Sequence, residues 1–98
     1  MIDYLKIYLP QIEEFAEVNN NMNHKMIENF ITMENNVVEI INYLKEKGVK
    51  NISNILIKRP DIFFKKKTRL EEEFSKIDEK LLLYILEKNI GELSSFNI

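Results

Sequence analysis

The basic side chains between Lys45 and Arg69 are the groups in this 98-residue chain best suited to binding a ligand. This segment carries nine basic and two acidic residues, a net charge of +7, whereas Met1–Leu44 carries −5 and Leu70–Ile98 carries −4. Clustered lysines and arginines attract polyanions because phosphates release their counterions on binding. The segment therefore predicts phosphate contact. The alternative is a solvated surface that neighbouring carboxylates such as Glu71–Glu73 neutralise.

Eight residues are candidates for a nucleic-acid site. The candidate phosphate ligands are Lys58, Arg59, Lys65, Lys66, Lys67 and Arg69. Asn51 and Asn54 are candidates for contacts with bases. Phe63 and Phe64 precede three lysines, an arrangement that could stack bases beside phosphate contacts, although both rings could equally belong to the core.

Residues for catalysis or metal binding are scarce. The chain has no cysteine, and its one histidine, His24, has no cysteine or second histidine beside it. Adjacent carboxylates such as Glu13 and Glu14 point to different sides of a helix and do not form an acid–base pair. A glycine-rich phosphate loop and a nucleophile motif are also absent from the sequence. We therefore expect a non-enzymatic protein without a metal or cofactor.

The elements that must position the basic residues are predicted to be helices. Two glycines and two prolines are too few for the tight turns of a sheet protein. Apolar residues recur at spacings of three and four from Met26 to Leu44, which is the period of one helix face. We expect an all-α bundle of five or six helices in one domain, 1–98. A long helix from about Asn23 to Lys47 is its spine, unless it breaks at Asn35–Asn36.

Capping and turn residues predict the other helix boundaries. Pro10 divides Ile2–Leu9 from a short amphipathic helix, and Gly48 ends the long helix. Asn51 and Asp78 are predicted N-caps, Pro60 stops a helix, and Thr68–Glu71 has the capping-box form. The remaining predicted helices cover residues 11–18, 68–77 and 79–89, and a further one carries Ile52, Ile55, Leu56 and Ile57 and stops before Arg59. A helix-turn-helix-like centre spans 51–77, with a single turn at 61–64. The tail after Gly91 is either loose or packed through Phe96.

Part of this pattern resembles a known helical repeat. The residues are Asn42-Tyr43-Leu44-Lys45-Glu46-Lys47-Gly48-Val49, then Ile52, Ile55, Leu56, Pro60, Phe63, Phe64 and Leu70. They resemble one repeat of the mitochondrial transcription termination factor family, over residues 42–77. The resemblance implies two helices followed by a short 3₁₀ turn, in repeats that stack into a solenoid with a nucleic-acid-binding concave face. The chain departs from the family in repeat number, because solenoids generally need three or more repeats.

Two classes of function stay open. The first is a nucleic-acid-binding or regulatory module that uses the basic segment. The second is a protein-interaction module, such as the small inhibitors or adaptors that phages and mobile elements encode. It would act by charge complementarity, with acidic residues such as Glu17 covering a partner's nucleic-acid site. Either class is compatible with a homodimer through the methionine and phenylalanine face of the long helix.

A membrane or secreted location is not expected. The longest apolar run, Leu81–Leu86, is far shorter than the about 20 residues that span a bilayer. Met1–Tyr4 lacks the basic start of a secretory signal. Together with the absence of cysteine, these features predict a cytoplasmic protein without a membrane partner.

Overall fold

A computed structural model describes residues 2–9 and 11–98, and all the regular structure within these ranges is helical. The predicted all-α class is therefore confirmed, while the division expected at Pro10 lies outside the described residues. Three short 3₁₀ helices are Asp3–Ile7, Pro60–Phe64 and Ile90–Phe96. The α-helices are α1 (Ile12–Asn20), α2 (His24–Thr32), α3 (Glu34–Glu46), α4 (Ile52–Lys58), α5 (Lys67–Phe74) and α6 (Glu79–Lys88).

The predicted long helix is two helices, α2 and α3, with a break at Met33. The Met33 backbone leaves the helical region (φ −109°, ψ 28°), two residues before the break allowed for at Asn35–Asn36. The start of α2 agrees with the prediction, since the Asn23 side chain accepts a hydrogen bond of 2.9 Å from the Met26 N–H. Because the chain turns at Met33, Phe30 on α2 and Val37 on α3 both face the core.

Local chemistry predicts the ends of α3 and α4 and the start of α6. Gly48 follows α3 with a φ of +95°, a conformation that glycine adopts at little cost. Pro60 follows α4, and the Asp78 carboxylate caps α6 by accepting a hydrogen bond of 3.2 Å from the Leu81 N–H. Asn51 occupies the N-cap position of α4, but its side chain makes no cap hydrogen bond.

The capping box predicted at Thr68 is wrong. Helix α5 begins at Lys67, its N-cap is Lys66, and no side chain caps it. The reason is a tertiary contact: the Asn36 amide on α3 donates hydrogen bonds of 2.9 Å to the carbonyls of Phe63 and Lys65. These bonds hold the chain in position just before α5.

Phe30 is at the centre of the core. Its ring centroid lies 4.8 Å from that of Phe64, in an edge-to-face arrangement, and 6.4 Å from that of Phe63. Its backbone carbonyl accepts a hydrogen bond of 2.8 Å from the Tyr4 hydroxyl. Phe30 therefore joins α2 to the 3₁₀ helix after α4 and to the N-terminal 3₁₀ helix.

The tail is packed, but through other residues than Phe96. Ile90 and Leu93 are buried in the C-terminal 3₁₀ helix, whereas the Phe96 side chain is 40% exposed. This 3₁₀ helix contacts α6 and α4. Neither alternative, a loose tail or a tail packed through Phe96, therefore describes it: the tail is packed through Ile90 and Leu93.

The second half of the fold is built from two similar units. The first unit is α3, α4 and the 3₁₀ helix Pro60–Phe64. The second unit is α5, α6 and the 3₁₀ helix Ile90–Phe96. At the junction before each 3₁₀ helix the backbone has nearly the same conformation, φ −138° and ψ 61° at Arg59, and φ −151° and ψ 58° at Asn89. Asn89 and Ile90 thus repeat the bend of Arg59 and Pro60 without a proline.

Burial in the two units matches at a sequence interval of thirty residues. Six buried apolar positions of the first unit have a buried apolar counterpart thirty residues later. The pairs are Ile40 and Leu70, Leu44 and Phe74, Ile52 and Leu82, Ile55 and Ile85, Leu56 and Leu86, and Phe63 and Leu93. Matching of both element order and buried positions indicates a repeat of one supersecondary unit.

Phe30→Ala should destabilise the protein by about 3–5 kcal/mol, because it opens a cavity at the centre of the core. Ile31→Ala is the matched control: Ile31 is the next residue but is 54% exposed, so a change within about 0.5 kcal/mol is expected. Urea unfolding followed by circular dichroism measures both. Equal effects of the two substitutions would contradict the assignment of Phe30 to the core.

Candidate nucleic-acid interface

Arg59 is held by partners within the chain. Its guanidinium donates two hydrogen bonds, of 3.0 and 2.9 Å, to the two carboxylate oxygens of Asp61, and another of 2.6 Å to the Ile98 carbonyl. The hydrogen bonds from Arg59 hold the pKa of Asp61 below its usual value. Arg59 therefore fixes the C-terminal tail and is poorly placed to bind phosphate.

Lys65 is also held within the chain. Its Nζ atom lies 3.3 Å from Glu73 Oε1, and both side chains are mostly covered. This ion pair joins the residue that follows the 3₁₀ helix Pro60–Phe64 to the last turn of α5. Lys65 thus neutralises a carboxylate of the next helix, as expected for part of a charged run that serves the fold.

Two lysines from different units meet over one aromatic ring. The Nζ atoms of Lys47, just after α3, and Lys67, at the start of α5, lie 5.4 and 5.8 Å from the ring centroid of Tyr43. Both distances fall within the range of cation–π attraction. The Tyr43 ring is 7% exposed and stacks on Phe74 at 6.3 Å, so it is a fixed support for the two charges.

Lys67 also lines an open groove between α3 and the start of α5. Its volume is about 420 Å³, and its lining residues are Asn36, Glu39, Lys66, Lys67, Thr68 and Glu71. The groove therefore carries two charges of each sign. Burial, together with the negative charge of Glu71, raises the pKa of Tyr43 to about 12, so its hydroxyl is protonated at neutral pH. We refer to Lys47, Lys66 and Lys67 together as the lysine cluster.

The positive charges at the start of α5 do not stabilise that helix. Lys66 is its N-cap, Lys67 and Arg69 lie in its first turn, and the first turn contains no acidic residue. Cations at the positive end of a helix dipole are unfavourable, and the first backbone N–H groups have no side-chain cap. The start of α5 therefore combines positive side chains with backbone N–H groups that no side chain caps. Both would attract an anion beside the lysine cluster.

The other predicted site residues do not join this cluster. Lys58 and Arg69 are exposed, on α4 and α5 respectively, and Asn54 is half-buried. Asn51 is exposed, and its side-chain oxygen faces Ser53 Oγ at 3.5 Å. Phe63 is fully buried and packs against Phe30, so of the two alternatives for this ring the core holds and stacking on bases does not.

Tyr43 and Lys47 are site residues that the sequence analysis did not identify. They are separated by four residues on one helical face, a spacing that brings a lysine over an aromatic ring. In the sequence, Tyr43 and Lys47 stand out only as positions of the repeat-like stretch. The spacing was therefore visible, whereas the approach of Lys67 from the next unit depends on tertiary structure.

A carboxylate of the second unit holds the first unit in place. Glu87 Oε1, on α6, accepts hydrogen bonds of 2.5 and 3.1 Å from the backbone N–H groups of Lys50 and Asn51. These two N–H groups precede α4, whose own N-cap side chain makes no such bond. Glu87 thus binds the backbone just before α4 from the neighbouring unit and sets the position of α6 against the loop that follows Lys47.

Metal-binding groups and membrane-spanning helices are absent from the described part of the chain. Within residues 2–9 and 11–98, no group of histidine, cysteine, aspartate and glutamate side chains could hold a metal ion. None of the helices described is long and apolar enough to cross a membrane. The methionine and phenylalanine face predicted for a homodimer is turned toward the chain's own core, since Met22 and Phe30 are buried, and homodimerisation stays a prediction.

Glu87→Ala should lower the free energy of unfolding by about 1–2 kcal/mol, because two N–H groups lose a charged acceptor. It should also speed hydrogen exchange at the Lys50 and Asn51 amides, which NMR can follow residue by residue. Glu92→Ala removes a similar, exposed charge and should leave both quantities nearly unchanged. Unaltered exchange at Lys50 and Asn51 in Glu87→Ala would show that the carboxylate does not hold these two amides.

Comparison with known proteins identifies no similar protein. No family model, curated protein or solved structure matches the chain. The resemblance to the mitochondrial transcription termination factor repeat therefore stays a prediction.

Proposed function

We propose that the chain is a nucleic-acid-binding module whose lysine cluster holds the phosphate backbone. The observation that carries the proposal is the meeting of Lys47 and Lys67, from two different units, over the ring of Tyr43. Two like charges near one ring repel each other, so a bound anion would be stabilised beside them, although Glu71 already offsets part of their charge. Backbone phosphates are polyanions that can contact several lysines at once.

The start of α5 supports the same proposal. Lys66 and Lys67 stand at a helix end whose N–H groups lack a side-chain cap, and this is the end that attracts phosphate. The repeated order of two α-helices and a 3₁₀ helix is the order that the family resemblance implies. A regulatory role in the cytoplasm is the setting we propose for this binding.

The chemistry of the site indicates contact with the nucleic-acid backbone and little reading of base sequence. Lysines and backbone N–H groups contact phosphate oxygens and carry no direct sequence information. The one aromatic ring of the cluster, Tyr43, is buried and cannot stack on a base. Affinity should therefore vary little with sequence and strongly with salt.

If Lys47, Lys66 and Lys67 each neutralise one phosphate, affinity for duplex DNA should fall about 40-fold between about 50 and 200 mM salt. Lys66→Gln/Lys67→Gln should remove about two-thirds of that salt dependence. Lys25→Gln/Lys76→Gln removes two exposed lysines elsewhere and is the matched control. Fluorescence anisotropy with short duplex and single-stranded DNA and RNA measures these values, after circular dichroism has confirmed equal helix content.

Glu39→Gln/Glu71→Gln offers a test in the opposite direction. Removing the two carboxylates that line the groove should strengthen binding, because they repel phosphate beside the cluster. No binding at about 50 mM salt would overturn the proposal. Equal losses in the Lys66/Lys67 variant and the Lys25/Lys76 control would show that binding uses the overall charge and no defined site.

A further inference from the structure

Helix α6 exposes an apolar face that the fold does not use. Six consecutive apolar residues, Leu81–Leu86, lie within it, but only Leu82, Ile85 and Leu86 are buried. The other three are 45% (Leu81), 37% (Leu83) and 59% (Tyr84) exposed. A helix that is apolar on all sides is normally buried on all sides, so this face lacks a partner. We call Leu81, Leu83 and Tyr84 the α6 face.

The internal repeat shows that the fold does not require these apolar residues. Thirty residues before Leu81, Leu83 and Tyr84, the first unit has Asn51, Ser53 and Asn54. Asn51 is the N-cap of α4, and Ser53 and Asn54 lie in its first turn, while the buried positions at the thirty-residue interval are apolar in both units. Apolar residues on the α6 face therefore serve something other than the packing of the unit.

A cleft borders the α6 face. It has a volume of about 250 Å³, and its lining residues are Lys47, Glu79, Lys80, Leu82, Leu83 and Leu86. The apolar side chains in this lining belong to α6, and Lys47 directly follows α3 in the first unit. The cleft can accept one or two apolar side chains of a partner beside the exposed leucines.

The charges around the face favour an acidic partner. Lys80 and Lys88 lie one helical turn before and after Tyr84, on the same side of α6, and Lys47 lies in the cleft wall. Glu79 is the acidic residue in that wall. Glu87 is the other carboxylate on this part of α6, but it accepts the hydrogen bonds from Lys50 and Asn51. An apolar centre with three lysines around it is complementary to an apolar surface with carboxylates around it.

We propose that the α6 face and its cleft bind an amphipathic helix of another protein, with leucine-like side chains on one face and acidic residues beside them. Such helices bind apolar grooves through residues at positions i, i+3, i+4 and i+7. Basic groups at the rim then select acidic helices over basic ones. This function is separate from nucleic-acid binding, although Lys47 borders both surfaces.

The test uses a fluorescein-labelled helical peptide of about 18 residues, with leucine at positions i, i+3, i+4 and i+7 and glutamate at the flanking positions. A second peptide has lysine in place of glutamate, and a third has the same composition in scrambled order. The intact protein should bind the first peptide at least about tenfold more tightly than the other two. Equal affinity for all three peptides, or no binding of the first, would overturn the proposal.

Substitutions locate the surface. Leu81→Glu/Tyr84→Glu should weaken binding of the acidic peptide at least about tenfold while leaving nucleic-acid binding unchanged. Ile7→Glu/Ile31→Glu places the same charges on two other exposed apolar residues and should bind the peptide as the parent protein does. Because all four positions are exposed, the fold should tolerate these changes, and circular dichroism checks that it does.

The remaining outcomes also decide the proposal. Lys66→Gln/Lys67→Gln should retain peptide binding, which separates failure of this proposal from failure of the nucleic-acid proposal. If sedimentation instead shows a dimer that Leu81→Glu/Tyr84→Glu dissociates, and the acidic peptide does not compete for it, a second copy covers the face and the proposal is wrong.

Discussion

The hydrogen bonds that Glu87 accepts from Lys50 and Asn51 fix the relation between the two units of this fold. The two backbone N–H groups just before α4 are bonded by a carboxylate that is thirty-six or more residues away in sequence. This contact places α6 beside the loop after α3, while Tyr43 stacked on Phe74 joins α3 to α5. The lysine cluster and the cleft both form at this junction, and neither would exist in one unit alone.

The sequence predicts those parts of the fold that depend on neighbouring residues. Gly48, Pro60 and Asp78 mark helix boundaries correctly, because a positive φ, a missing N–H group and a capping carboxylate are local properties. The predicted position of the break between α2 and α3 was two residues too late, and the predicted start of α5 was wrong. The start of α5 depends on a contact from Asn36, twenty-nine residues before Lys65, and no local pattern signals such a contact.

The site was only partly predictable for a similar reason. The charge count located the basic segment, but it could not separate lysines that bind a partner within the chain from those that do not. Arg59 meets a carboxylate two residues away, which the sequence could have indicated, whereas Lys65 meets Glu73 across a helix whose start was misplaced. The thirty-residue repeat was also hidden, because Asn89 and Ile90 replace the arginine and proline of the first unit while keeping the same backbone bend.

Lys47 connects the two proposed surfaces. Its ammonium lies over Tyr43 in the lysine cluster, and the same side chain lines the cleft beside α6. One ammonium group cannot satisfy a phosphate and a carboxylate of two separate ligands at full strength. If both proposals hold, an acidic helix on α6 withdraws one of three charges from the cluster, and the salt dependence of nucleic-acid binding falls by about one phosphate contact. By reciprocity of the coupling, bound nucleic acid then weakens the acidic helix to the same degree, so that the two ligands regulate each other through a single side chain.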